Sequence, residues 1–181
     1  NPENVSMMCV EDGTPTPILI AGVERRLSIA TSPKAELPKG LYGNQFKLAW
    51  PEQIEAATTV LSPSPHTNLL AIEAPADGEG NYSAEEIRYV LSTAYAGFSA
   101  ICDESIATLK SGSVSLNTGF WGCGAYGGNR VLMVLLQMIA AQLAGIDRLV
   151  FFLGGSDGQE SFDMALEIHS DLSRSGDLRV D

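Results

Sequence analysis

Thr118-Gly119-Phe120-Trp121-Gly122-Cys123-Gly124-Ala125-Tyr126-Gly127-Gly128-Asn129-Arg130 places five glycines within ten residues. The alternating run Ser113-Val114-Ser115-Leu116-Asn117 precedes it, and a long apolar stretch, 131–144, follows. Strand, glycine loop and helix in that order present backbone N–H groups to an anion. Glycine lets the backbone approach closely, and a helix N-terminus adds partial positive charge. A tight turn alone needs one or two glycines. Five glycines together with Phe120, Trp121 and Tyr126 therefore point to a ligand.

Outward from the loop, continuous apolar runs read as covered strands at 18–22, 69–74 and 149–153, with 113–117 feeding the loop. Residues 24–29 extend the first of these, and 5–10 read as a short strand or the tail of a helix. Glu11-Asp12-Gly13-Thr14-Pro15 is a turn. Residues 31–43 carry Pro33, Pro38, Gly40 and Gly43 and read as a loop with Tyr42 near its end. Pro51 starts a helix that reaches about Val60. The loop 62–65 follows it, and His66 reads as a solvated loop histidine. Ser83-Ala84-Glu85-Glu86 is a capping box, so Glu85 and Glu86 read as a capped first turn rather than a catalytic pair. That helix runs to about Ala100, with Ile87, Val90, Leu91, Ala94 and Phe98 on one face. Tyr95 and Phe98 are expected in the core. Residues 103–109 read as a further short helix or irregular chain. A last helix is expected over 161–172 with His169 packed or on the surface. Residues 173–181 read as a frayed tail. Strands alternating with helices give an α/β layered domain.

The chain has 181 residues, 45% hydrophobic and 18% charged, which suits one globular domain. A net charge of −11 argues against direct DNA binding. An anionic ligand must then be held locally, by N–H groups and helix ends. Cys9, Cys102 and Cys123 have no metal-like spacing, so no metal or cofactor is expected. Their odd count suits a reducing, intracellular setting, cytoplasmic or nuclear. No apolar run reaches membrane-spanning length. The opening Asn1-Pro2-Glu3 lacks an initiator Met and reads as the middle of a longer protein.

Gly122-Cys123-Gly124-Ala125-Tyr126-Gly127 also matches G-x-G-x-x-G, the dinucleotide fingerprint. That fold requires an acidic residue at the end of the next strand. Asp147 has the spacing but precedes the strand, and Asp157 lies too far along. Beyond the helix that follows the loop, only one strand and one helix remain. The loop lacks G-K-[ST] and is no P-loop.

The loop, with Leu135-Leu136-Gln137-Met138-Ile139-Ala140-Ala141 downstream, closely resembles the poly(ADP-ribose) glycohydrolase family. Leu70-Ala71-Ile72-Glu73-Ala74 is similar to that family's Ala-Ile-Asp-Ala strand. Ala94-Tyr95-Ala96-Gly97-Phe98 is similar to its Ala-Tyr-X-Gly-Phe helix end. Asn1-Pro2-Glu3 is similar to the segment after its catalytic loop. The resemblance implies a three-layer α/β/α macrodomain-like core with a mixed sheet, spanning 1–181 as the C-terminal part of a catalytic domain. The family signature, Gly-Gly-Gly, a spacer, then Gln-Glu-Glu, is absent, and the resemblance puts the catalytic glutamates upstream of residue 1. Gln159-Glu160 is followed by Ser161, on the wrong side of the loop.

The resemblance implies hydrolysis of ribose–ribose O-glycosidic bonds in poly(ADP-ribose), as in the DNA damage response. Gly122, Cys123, Gly124, Ala125, Tyr126, Gly127 and Gly128 would hold the diphosphate, and Tyr126 would pack on the ribose beside the scissile bond. Tyr42, Phe120 and Leu153 fall toward adenine. Phe120 stands where the vertebrate-like pattern has Asn, Leu153 where it has Phe (Phe152 is adjacent), and Tyr126 where it has Phe. The departures thus gather at the adenine end. Expected partners are ADP-ribose or its polymer, an ADP-ribosylated protein and the N-terminal remainder of the same protein, with no membrane. Two other readings stay open, a non-catalytic ADP-ribose-binding module and an unrelated nucleotide-cofactor enzyme.

Overall fold

The computed structural model describes residues 8–32, 40–41, 44–75, 81–109, 112–154 and 156–175. The chain divides into two compact units, Asn1–Leu19 with Leu70–Asp181, and Ile20–Leu69.

The first unit opens with a hairpin of β1 (Val10–Glu11) and β2 (Thr14–Pro15). Its turn residues Asp12 and Gly13 have φ of 48° and 75°. Positive φ at both central positions is the turn whose twist suits a hairpin, and Asp-Gly is a favoured pair for it. Residues 5–7 of the expected strand lie outside the described residues.

Helix α3 (Ala84–Leu109) is the longest element. Its capping box forms as the sequence predicts. The Ser83 N–H donates to Glu86 Oε2 at 2.7 Å, and the Glu86 N–H donates to Ser83 Oγ at 3.2 Å. These bonds hold the Glu86 carboxyl below its ordinary range. Val90, Ala94, Phe98 and Cys102 are buried at four-residue spacing. The helix continues through 103–109 beyond this stripe, with Ile106 68% exposed, so the end expected near Ala100 does not occur. Tyr95 is a correction: it is 45% exposed. It follows Ala94 by one residue, about 100° around the helix and off the buried stripe.

Strand β7 (Ser115–Thr118) pairs in parallel with β8 (Arg148–Phe151), Ser115 opposite Arg148 and Thr118 opposite Phe151. Asp147 supports this pair, its carboxylate accepting from the Val114 N–H at 2.7 Å. Helix α4 (Arg130–Ala144) lies between them in sequence and buries Met133, Val134, Leu136, Gln137, Ala140 and Ala141. Helix α5 (Ser156–Ser175) follows β8 and starts five residues earlier than the sequence suggests. It also includes Ser173–Ser175 of the expected tail, and 176–181 lie outside the described residues. The core is a pair of clusters between α3 and α4. Ala94, Phe98, Ala140 and Ala141 gather Leu70, Leu116, Trp121 and Leu149. Val90, Met133 and Leu136 gather Ile87, Leu91, Trp121 and Cys123. Trp121 touches both clusters and ties the glycine loop to the core.

The second unit holds most of β3 (Ile18–Glu24) and β6 (His66–Ala71), which pair with each other. It also holds α1 (Asn44–Leu48), which the sequence reading missed, and α2 (Pro51–Ala57). Beyond Ala57 the expected helix gives way to β5 (Thr58–Val60), antiparallel to β4 (Leu27–Ile29). Three successive β-branched residues, Thr58-Thr59-Val60, favour the pleated conformation. His66 is exposed and begins β6.

The four apolar runs do not share one sheet among the described residues. They form two separate pairs, β3 with β6 and β7 with β8. β6 stops at Ala71, and the Leu70 side chain packs beside Gly97 and on the α3–α4 cluster. Nor is β3 covered on both faces, because Ala21 and Gly22 are exposed.

Candidate functional site

Parallel pairing brings the carboxyl ends of β7 and β8 to the same edge. The glycine loop leaves from one, and the lead into α5 leaves from the other. Open α/β units bind ligands at such an edge.

The loop begins on a buried amide. Gln137, 1% exposed, accepts the Thr118 hydroxyl at 2.7 Å. Its Nε2 donates to the Gly119 carbonyl at 3.2 Å and to the Met133 carbonyl at 3.0 Å. One side chain thus joins the end of β7, the start of the loop and the first turn of α4. The sequence signal is a glutamine in an otherwise apolar stretch, one of two with Gln142, within the motif downstream of the loop.

Within the loop, Gly122 and Gly127 have φ of 75° and 66°. The Cys123 N–H donates to the Phe120 carbonyl, the Gly127 N–H to Gly124, and the Gly128 N–H to Gly122, at 3.1, 3.2 and 3.0 Å. Gly128 lies so close that a Cβ there would meet the Gly122 carbonyl oxygen at 2.8 Å. These three N–H groups therefore close the loop on itself. Those of Gly122, Gly124, Ala125 and Tyr126 make no hydrogen bond among the described residues. Gly124 and Ala125 are exposed, and the Tyr126 side chain is 53% exposed. Three of these open N–H groups, at 124–126, are consecutive and lie on exposed residues.

Asn129 caps α4, its Oδ1 accepting from the Leu132 N–H at 3.0 Å, as an Asn at that position should. The Asn129 N–H donates to the Tyr82 hydroxyl oxygen at 3.0 Å. The N–H groups of Arg130 and Val131 stay unbonded among the described residues and point along the positive end of the helix.

Phe120 is half-buried and meets Phe151 edge-on, with ring centroids 6.1 Å apart. Phe151 in turn packs on Phe162 at 5.4 Å. The Arg130 guanidinium lies 5.1 Å from the Phe120 ring centroid and bonds Asp157 Oδ2 at 2.5 Å. That pairing holds the Asp157 carboxyl below its usual range. Leu153 is half-buried between β8 and α5, and Phe152 beside it is 66% exposed. Tyr42 lies outside the described residues.

Burial pushes the Cys123 thiol up to about 11, against the opposing charge of Arg130. A neutral thiol is a poor nucleophile, so Cys123 fills space here. Among the described residues no group of three His, Cys, Asp or Glu side chains could hold a metal ion. No helix among them is long and apolar enough to cross a membrane.

A model of the poly(ADP-ribose) glycohydrolase family, with the macro domain fold, matches residues 38–160, well over half of the chain. The chain belongs to this family. The matched span includes α3, the whole glycine loop, α4 and the start of α5. It follows that the parallel pair and its loop are parts of a macro domain, and that the family activity is that of a glycohydrolase acting on ADP-ribose polymers.

Proposed function

We propose that residues 119–130 form the clamp for the diphosphate and adjacent ribose of ADP-ribose, in a protein that hydrolyses ribose–ribose O-glycosidic bonds of poly(ADP-ribose). One observation carries this reading: the N–H groups of Gly124, Ala125 and Tyr126 and those of Arg130 and Val131 are unbonded among the described residues, in the segment that leaves the carboxyl end of the parallel pair's first strand within the family-matched stretch. Backbone N–H groups and a helix N-terminus suit an anion without a field of lysines, which fits a chain of net charge −11. The exposed Tyr126 ring suits packing on the ribose. The finer architecture, three α/β/α layers on a mixed sheet, belongs to this proposal, as does an intracellular setting. The parallel pair packed against α4 through Leu116 and Leu149 supports the first.

Cleaving the glycosidic bond needs a carboxylic acid that protonates the leaving oxygen and a carboxylate that supports the oxocarbenium-like centre. Within 181 residues the Gly-Gly-Gly and Gln-Glu-Glu pattern does not occur. Glu85 and Glu86 stand in a capped first turn, with Glu86 occupied by Ser83. This favours a second reading for these residues taken alone, binding of ADP-ribose without cleavage. Removal of ADP-ribose from a modified protein is the variant of the first reading that differs only in the leaving group.

Calorimetry with ADP-ribose and chromatography of polymer digests separate the readings. The 181-residue chain is expected to bind ADP-ribose and release none from polymer, whereas a protein that carries the glutamate pattern ahead of it is expected to do both. Failure of either protein to bind ADP-ribose would remove the clamp. Turnover by the 181-residue chain would place the acid among its own carboxylates.

A further inference from the structure

Arg130 is out of place by the usual rules of helix chemistry. It is the first residue of α4, and that first turn contains no acid. A cation there opposes the positive end of the helix. Local rules broken in this way gather at functional sites.

Two contacts hold the side chain. Its guanidinium lies over Phe120 at 5.1 Å, an arrangement the ring face favours. It bonds Asp157, at the start of α5, at 2.5 Å. The α5 backbone comes close enough to Phe120 that a Cβ on Gly158 would lie 3.0 Å from its ring. The guanidinium is therefore set between two helix N-termini, beside the loop whose N–H groups are open. Its charge is felt at Cys123 in the middle of that loop.

The bond to Asp157 is not a strong closure. The two side chains are 40% and 75% exposed, and exposed pairs of this kind exchange partners readily. One guanidinium nitrogen engages Asp157. The remaining donors of the fork have no partner among the described residues, and a fork of that shape matches phosphate oxygens.

We propose that Arg130 contacts the diphosphate of ADP-ribose directly and that Asp157 is its counter-ion only while the site is empty, the ligand taking the place of the carboxylate. Phe120 keeps the guanidinium oriented through the exchange. This rests on the clamp reading above and adds to it a side-chain charge and a built-in competitor.

The two partners of the bridge should then respond in opposite directions. ADP-ribose affinity is measured by calorimetry for wild type, Arg130→Met and Asp157→Asn, with melting as a check on folding. Arg130→Met keeps an apolar stem over Phe120 and should weaken binding about tenfold, one charge-assisted contact. It should also flatten the salt dependence of affinity. Asp157→Asn should tighten binding about twofold to fivefold, because the competitor is gone. Arg130→Lys keeps the charge without the fork and should fall between wild type and Met. If both bridge variants weaken binding alike, the bridge only supports the fold and the proposal is overturned. Unchanged affinity in Arg130→Met overturns it too. Wild type that fails to bind ADP-ribose is a different outcome: it removes the clamp itself, and this contact with it.

Discussion

Gly127 and Tyr126 are neighbours in sequence with opposite demands. Gly127 needs φ of 66° and its N–H is spent on Gly124. Tyr126 has an open N–H and a ring that is 53% exposed. Gly127→Val brings in a β-branched side chain where positive φ disfavours it, so the loop should lose its shape. Calorimetry is expected to show ADP-ribose affinity down by at least about a hundredfold, as several N–H bonds are lost together. Tyr126→Ala removes little buried surface, and melting should stay within about 2 °C of wild type. In a protein that turns over polymer, the same change is expected to lower the rate about a hundredfold through misplaced reacting groups. Normal binding by folded Gly127→Val would mean that the loop is not the phosphate site. Cys123 offers a third measurement. Its thiol is raised from 9.0 to about 11, so the folded state favours the neutral form. That contribution to stability is fully present below the unfolded thiol value and is lost as pH rises through the folded one. Iodoacetamide at about pH 8 should therefore label Cys123 far more slowly in the folded protein than in the unfolded one. Equal rates by peptide mapping would contradict the burial. The glycine positions were legible because a special backbone shape leaves a residue type behind. Arg130 was not, because its meaning comes from Phe120 and Asp157, ten and 27 residues away.

At the scale of elements, local chemistry was readable and pairing was not. The capping box at Ser83 and the stripe from Val90 to Phe98 fixed α3 correctly, and only its length was underestimated. The helix from Pro51 was predicted three residues too long because β5 is chosen by its partner. Thr58–Val60 pairs with Leu27–Ile29 across some thirty residues, beyond the window that periodicity covers. The expectation of one common sheet failed similarly, since apolar runs announce strands without naming neighbours. Gln137 shows how an element can serve the site. It belongs to α4, yet its amide bonds β7, the loop and the first helical turn. Gln137→Met keeps the volume and removes all three bonds. The half-buried Thr118 hydroxyl would lose its acceptor, while the Gly119 carbonyl keeps the Trp121 N–H and the Met133 carbonyl keeps its helical N–H, and the expected cost is about 1–3 kcal/mol. Thermal melting should show that loss, and ADP-ribose affinity measured well below the transition should fall as well. Thr118→Val should reproduce part of it, with less than additive losses in the double variant. Strict additivity would mean that the two side chains do not act together.

At the scale of the whole molecule, burial is uneven. Most of the fully buried side chains belong to α3 and α4: Val90, Thr93, Ala94, Phe98, Met133, Val134 and Ala140. The unit Ile20–Leu69 has fewer, chiefly Leu41 and Ala57 among the described residues. Its strands are short, and Leu27 and Val60, which face each other in the β4–β5 register, are 50% and 74% exposed. A two-stranded pair with exposed faces is marginal by itself. Helices packed through a shared core open only with the whole fold, whereas exposed pairs open locally. Native-state hydrogen exchange should therefore be slowest at the central turns of α3 and α4, at rates that track global stability as denaturant is added. Amides of β4 and β5 should exchange faster and respond less to denaturant, because little surface is uncovered when they open. ADP-ribose adds a second reading of the same experiment. A ligand held by 124–126 and the start of α4 should slow exchange there and raise protection across α3 and α4 through their common core, by the free energy of its binding. Protection that appears in β4 and β5 but not near 124–131 would place the ligand away from the glycine loop.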